Sequence, residues 1–159
     1  MPANLLSNGS VGVGALNIKG FSQKVARIPI NNRGASEVNT GVKIPALAVV
    51  DRVMVDIDTV EATGTTKTIS VGTLSTETGG VADGFLYAVS TATATIQPGA
   101  MSAATPSRGS LLREFSIATG TAQVVKPYVS NVERTISYTL GSAHTELKGE
   151  IFVIYNSMD

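Results

Sequence analysis

Between Val49 and Asp58 the chain reads VVDRVMVDID, and its side chains sort onto two sides. Val53, Val55 and Ile57 fall on one side. Arg52, Met54, Asp56 and Asp58 fall on the other. A period of two marks a half-buried β-strand. A second strand is predicted over Thr66–Thr73, across a turn-rich break at Ala62-Thr63-Gly64.

The same pattern recurs along the chain. Ser22–Ile30 alternates, with Ala26, Ile28 and Ile30 on one face. Pro29 cannot donate to a ladder, which predicts an edge strand or a strand end. Asn31-Asn32-Arg33-Gly34 is a turn, and Thr40–Ile44 a short strand stopped by Pro45. Thr76–Gly84 reads as a loop, Phe85–Thr91 as a helical turn or a strand with a short helix preferred, and Ala92–Gln97 as a weak strand closed by Pro98-Gly99. Ala100–Ser110 is small and polar, a surface loop. Leu112–Ala118 alternates again, and Pro127 makes Gln123–Ser130 an edge. Val132–Leu140 places Ile136, Tyr138 and Leu140 on one face. In Glu146–Asn156, Ile151, Val153 and Tyr155 oppose Glu150, Phe152 and Ile154. Apolar residues on both faces predict a central or interface-covered strand.

Roughly eight strands with few helix signals predict an all-β, two-sheet sandwich. A jelly roll, which closes about eight strands in two sheets, is the preferred version. Residues 1–20 stand apart from the domain over 21–159. Gly9, Gly12, Gly14 and Gly20 interrupt them, and Leu5, Leu6, Val11, Val13, Leu16 and Ile18 lie between. They read as an extended N-terminal arm, whose six aliphatic residues are the candidate partner contacts.

Composition narrows the function. The 159 residues carry 12 basic and 12 acidic side chains, so no broad attraction to nucleic acid or anionic membrane is implied. Hydrophobic content of 43% with 15% charge argues against a disordered chain. Cysteine is absent, which removes disulfides, thiolate metal sites and cysteine nucleophiles together. No apolar run approaches the roughly 18 residues that span a bilayer. The N-terminus makes a poor signal peptide, predicting synthesis in a cytoplasm without export.

Candidate chemistry is sparse. His144 is the one histidine, so a serine triad would have to use it, and zinc would need further ligands. Its setting, Gly141–Thr145, predicts an exposed loop histidine. Asp56 and Asp58 share a strand face and could bind calcium or act as acid and base. Arg52 and Met54 share that face, which favours a plain solvated surface. Gly79–Gly84 lacks the lysine and hydroxyl residue of a phosphate loop. The six arginines are scattered, without the interleaved aromatics of a single-strand binder. No catalytic residue, cofactor or metal site is assigned, and the chain is not expected to be an enzyme.

The order of pieces carries a resemblance. Ile44-Pro45-Ala46, the strand Val49–Asp58, Thr68-Ile69-Ser70-Val71-Gly72 and Asp83-Gly84-Phe85-Leu86 follow one another as in capsid decoration, or cement, proteins of tailed bacteriophages. The chain resembles that family best over residues 44–86. The resemblance implies a jelly-roll or related β fold, homotrimers on a capsid surface, the major capsid protein as partner and no enzymatic activity. It implies made-in-host virion protein, with no nucleic acid or membrane partner. Related sandwiches occur in head fibres, collars and tails, so a fibre, collar or glycan-binding module is the alternative.

Overall fold

The computed structural model describes residues 22–31, 33–98, 109–115 and 123–157. The N-terminal arm, including Leu5, Leu6, Val11, Val13, Leu16 and Ile18, lies outside the described residues. So do most of the predicted loop before Ser110 and the end of the Leu112–Ala118 strand.

The described chain is built from strands β1 (Ser22–Pro29), β2 (Val38–Ile44), β3 (Val49–Thr59), β4 (Thr68–Thr73), β5 (Leu86–Ser90) and β6 (Ile96–Gln97). A 3-10 turn at Ser110–Leu112 precedes β7 (Arg113–Phe115), β8 (Gln123–Val125), β9 (Tyr128–Val129), β10 (Arg134–Leu140) and β11 (Lys148–Ser157). One sheet runs β1-β11-β3-β6, with β9 also on β3. The other runs β2-β10-β4-β5, and β7 pairs with β8. The two main sheets form the all-β sandwich the alternation predicts.

The period-two faces explain the core. Val53, Val55 and Ile57 of β3, Ile151 and Val153 of β11 and Ile28 of β1 are all buried. From the other sheet come Ile136, Tyr138 and Leu140 of β10 with Ile69 and Val71 of β4. Burying each such side chain contributes roughly 1.5–3 kcal/mol. Phe85, fully buried, meets the Tyr128 ring edge-on at 5.4 Å and joins β9 to the second sheet's loops.

One element differs from expectation. Phe85–Thr91 is not a helix, because Leu86–Ser90 pairs antiparallel with β4. The pairing slips between Ile69 and Val71, and Ala88 adopts a left-handed φ of 48°. Leu86 and Val89 therefore both turn inward although three residues apart. That spacing imitates a helix.

The sheets differ on their outer sides. Over the second sheet, segment 74–83 folds back onto β4 and β10. Thr73 N–H donates to Val81 O at 2.9 Å, Leu74 N–H to Thr135 O at 2.9 Å, and Thr135 N–H to Glu77 Oε1 at 3.0 Å. Gly72 permits this, since a Cβ there would lie 2.0 Å from Val81 O. Gly84 plays the same part beneath Leu111, whose side chain a Cβ would meet at 2.5 Å. The TxSVG and DGFL pieces thus serve close backbone packing.

Candidate interaction surface

The sites weighed in the sequence are dispersed. His144 is not an exposed loop residue; it is 4% exposed. Nδ1 lies 2.7 Å from Ser142 O, which makes it the donor, and Nε2 accepts from Thr91 Oγ1 at 2.9 Å. Its own N–H donates to Arg33 O at 2.8 Å. Both ring nitrogens are engaged, so the imidazole is a spacer between loops with no nitrogen free for a nucleophile.

Beside it lies a residue the sequence did not single out. Glu61, 1% exposed, follows β3 and accepts from two loops at once. Thr63 N–H and Gly64 N–H donate to Oε1 at 3.1 and 3.0 Å, and Thr63 Oγ1 donates at 2.8 Å. Thr145 N–H and Glu146 N–H donate to Oε2 at 2.8 and 3.0 Å. Burial pushes the carboxyl up. The hydrogen bonds from Glu146, Thr63 and Thr145 outweigh it and hold the group far below the usual carboxylate range. Arg33 adds a guanidinium contact to Thr145 O. This polar clamp closes one end of the sandwich, and its donors and acceptors are spent on one another.

Asp56 and Asp58 do occupy the outer side of β3. Asp56 faces Glu150 across the β11 pairing, and Asp58 sits in a bulge between Ile57 and Thr59. Among the described residues no group of three histidine, cysteine, aspartate or glutamate side chains could hold a metal ion. The glycine loop is likewise consumed locally: Gly80 N–H donates to Glu77 O and Gly84 N–H to Val81 O. A phosphate cradle needs those N–H groups free. A cleft of about 240 Å³ opens between edge strands β1 and β2, lined by Ile28, Pro29, Val38, Thr40, Val42 and Tyr138. It offers no carboxylate, imidazole or amine for chemistry.

What remains is a face. The outer side of the β1-β11-β3-β6 sheet has no covering loop among the described residues. Its cross-strand rows are Val25–Ile154–Arg52, Arg27–Phe152–Met54 and Pro29–Glu150–Asp56–Ile96. Val25 is 52% exposed and Ile96 55%. Near the start of β3, Val129, paired with Val49, is exposed, as are Leu47 and Val132. Leu47 is itself unusual, an exposed leucine at φ 64° whose N–H donates to Ser130 O at 2.7 Å. A left-handed conformation costs a branched residue about 1–2 kcal/mol. No helix among the described residues is long and apolar enough to cross a membrane.

No protein-family model and no curated protein matches the sequence. Two solved structures contain chains to which this one is similar. One is described as "Acidic stable capsid structure of Helicobacter pylori bacteriophage KHP30": 17% identity, 86% of this chain and 89% of that one, TM-score 0.50. The other is "Cyanophage Pam1 capsid asymmetric unit": 15% identity, 87% and 86% covered, TM-score 0.48. The first likeness shows a fold shared with a chain of a phage capsid structure.

Proposed function

We propose that this chain is a structural virion protein that binds the outside of a phage capsid and stabilises the shell by bridging major capsid subunits. The observation that carries this reading is the shared fold with a chain of the KHP30 capsid structure over most of both chains. The sheet orders β1-β11-β3-β6 and β2-β10-β4-β5 support a jelly roll, with the first strand beside the last. The spent polar clamp, and a mixed polar and apolar sheet face uncovered among the described residues, fit a protein that holds rather than converts.

The mechanism is thermodynamic. A protein that binds only the assembled shell stabilises it by mass action, and repeated weak contacts add through high local concentration. Residues 1–20 serve as the tether, with Leu5, Leu6, Val11, Val13, Leu16 and Ile18 as contacts. Deleting residues 1–18 is expected to leave Tm within a few degrees and to remove the chain from capsids. The check is thermal unfolding beside capsid co-sedimentation; unchanged occupancy with the deletion removes the arm from this role.

A further inference from the structure

We infer that, in the free protein, residues 10–18 of the N-terminal arm add to the open edge of β1 as a further strand. The chain turns back at Lys19-Gly20 and sets Val11 and Val13 into the cleft between β1 and β2. The argument starts from the edge. Among the described residues β1 pairs with β11 alone. Ile30 N–H donates to Gly149 O at 3.0 Å, so the pair that follows Pro29–Glu150 is a hydrogen-bonded one. Such pairs alternate along an antiparallel ladder. Ser22, Lys24, Ala26 and Ile28 therefore bond to β11. The N–H and C=O groups of Gln23, Val25 and Arg27 point outward, where no described strand lies. Such an edge is a template for another strand. Pro29 takes the next outward place. It has no N–H, and its C=O already accepts from Asn31 N–H at 3.1 Å.

The core is open on the same flank. Val38 and Val42 line the cleft, and they and Ala26 pack against the core yet stay only partly buried. The chain outside the described residues ends at the first residue of β1, so its local concentration at this edge is high. Its Val11-Gly12-Val13-Gly14-Ala15 stretch alternates at period two, apolar on one side and bare on the other.

The register follows from the turn. Glycine at the second place of a two-residue loop admits the left-handed backbone that tight hairpins need. With Lys19-Gly20 as that loop, Ile18 and Phe21 flank it as a hydrogen-bonded pair. Steps of two then pair Leu16 with Gln23, Gly14 with Val25 and Gly12 with Arg27. Those partners are the outward residues of β1. Between them Val13 opposes Ala26 and Val11 opposes Ile28, on the side of the cleft. Ser10 meets Pro29, and the ladder ends. Ordering the strand offsets most of what pairing and burial return, so the same residues can be given up to a partner. The inference concerns the chain before it meets a shell and does not depend on the virion reading.

The test uses the full chain, which has no cysteine of its own. Val13→Cys with Ala26→Cys places thiols at a non-hydrogen-bonded pair, about 4.5 Å between Cα atoms and within disulfide range. Mild oxidation in dilute solution, read by non-reducing electrophoresis and intact mass, is expected to give an intrachain disulfide. Leu16→Cys with Ala26→Cys, three residues away and on the opposite face, should stay reduced. In the unmodified protein, amide exchange by NMR supplies the second readout. Deleting residues 1–18 should speed exchange of Gln23, Val25 and Arg27 at least tenfold and leave Lys24 and Ala26, bonded to β11, unchanged. Bonds between copies overturn the inference, because the arm then docks on a neighbour. Equal oxidation of the two pairs, no disulfide in the first, or exchange at Gln23, Val25 and Arg27 indifferent to the deletion also overturns it.

Discussion

Alanine at Gly72 is expected to destabilise the domain by about 3 kcal/mol, the upper end for forced overpacking, and to lower Tm by roughly 6–12 °C. The added methyl would sit 2.0 Å from Val81 O and 2.5 Å from the Ala82 carbonyl carbon. Both atoms are backbone, so no rotamer change relieves the contact. Either β4 shifts or segment 81–84 lifts. Lifting breaks the Thr73 N–H bond to Val81 O and the Phe85 N–H bond to Val71 O, and unseats the buried Phe85. Gly41→Ala is the matched control. Its φ of 71° is strained for alanine, but nothing lies within 4 Å of the new methyl. That variant should cost only about 1 kcal/mol. Thermal melts of the two proteins decide the point; equal losses would show that the segment does not press on β4.

Removing the Glu61 carboxylate should have an effect of similar or greater size. Glu61→Ala leaves Thr63, Gly64, Thr145 and Glu146 N–H groups without their acceptor at a part-buried site. Tm is expected to fall on the order of 10 °C. Amide exchange should quicken together in residues 61–64 and 144–147, since one side chain joins them. Glu61→Gln is no rescue, because its amide must turn a donor toward one pair of donors.

The pH dependence has a definite sign. In the unfolded chain the carboxyl titrates near its ordinary value of 4.5, and in the fold far lower. The charged form therefore contributes its stability fully above about pH 4.5. That contribution is lost as pH falls toward the folded value. The stability gap between wild type and Glu61→Gln should be flat from about pH 7 to 5 and narrow below. Denaturant melts at pH 7 and pH 3 measure it; a gap that widens in acid would contradict the clamp.

The two-sheet class was legible because burial is written at period two in β3, β10 and β11. Val53, Val55 and Ile57 are placed by their own neighbours, so a local pattern suffices. The Phe85–Thr91 stretch misleads because Ala88 turns left-handed and shifts the pairing, which sets Leu86 and Val89 on one side. Glu61 and His144 depend on distant chain. Glu61 binds Thr145 and Glu146, 84 and 85 residues on, and His144 binds Thr91, 53 residues back. A lone acid in the Glu61-Ala62-Thr63-Gly64 turn hints at the local half of that clamp, since Oε1 bonds Thr63 and Gly64. Nothing local announces the other half. The outer face was half visible: alternation exposed Phe152 and Ile154 opposite the core. Only the strand order sets Val25, Met54 and Ile96 beside them.

The proposed function requires this chain to be part of a capsid. The most direct measurement is quantitative mass spectrometry of purified phage particles made from a genome that encodes it. A shell-binding protein of this kind is expected in the particle at a copy number commensurate with the major shell subunit. Absence from the particle would contradict it, as would the few copies of a single vertex or tail.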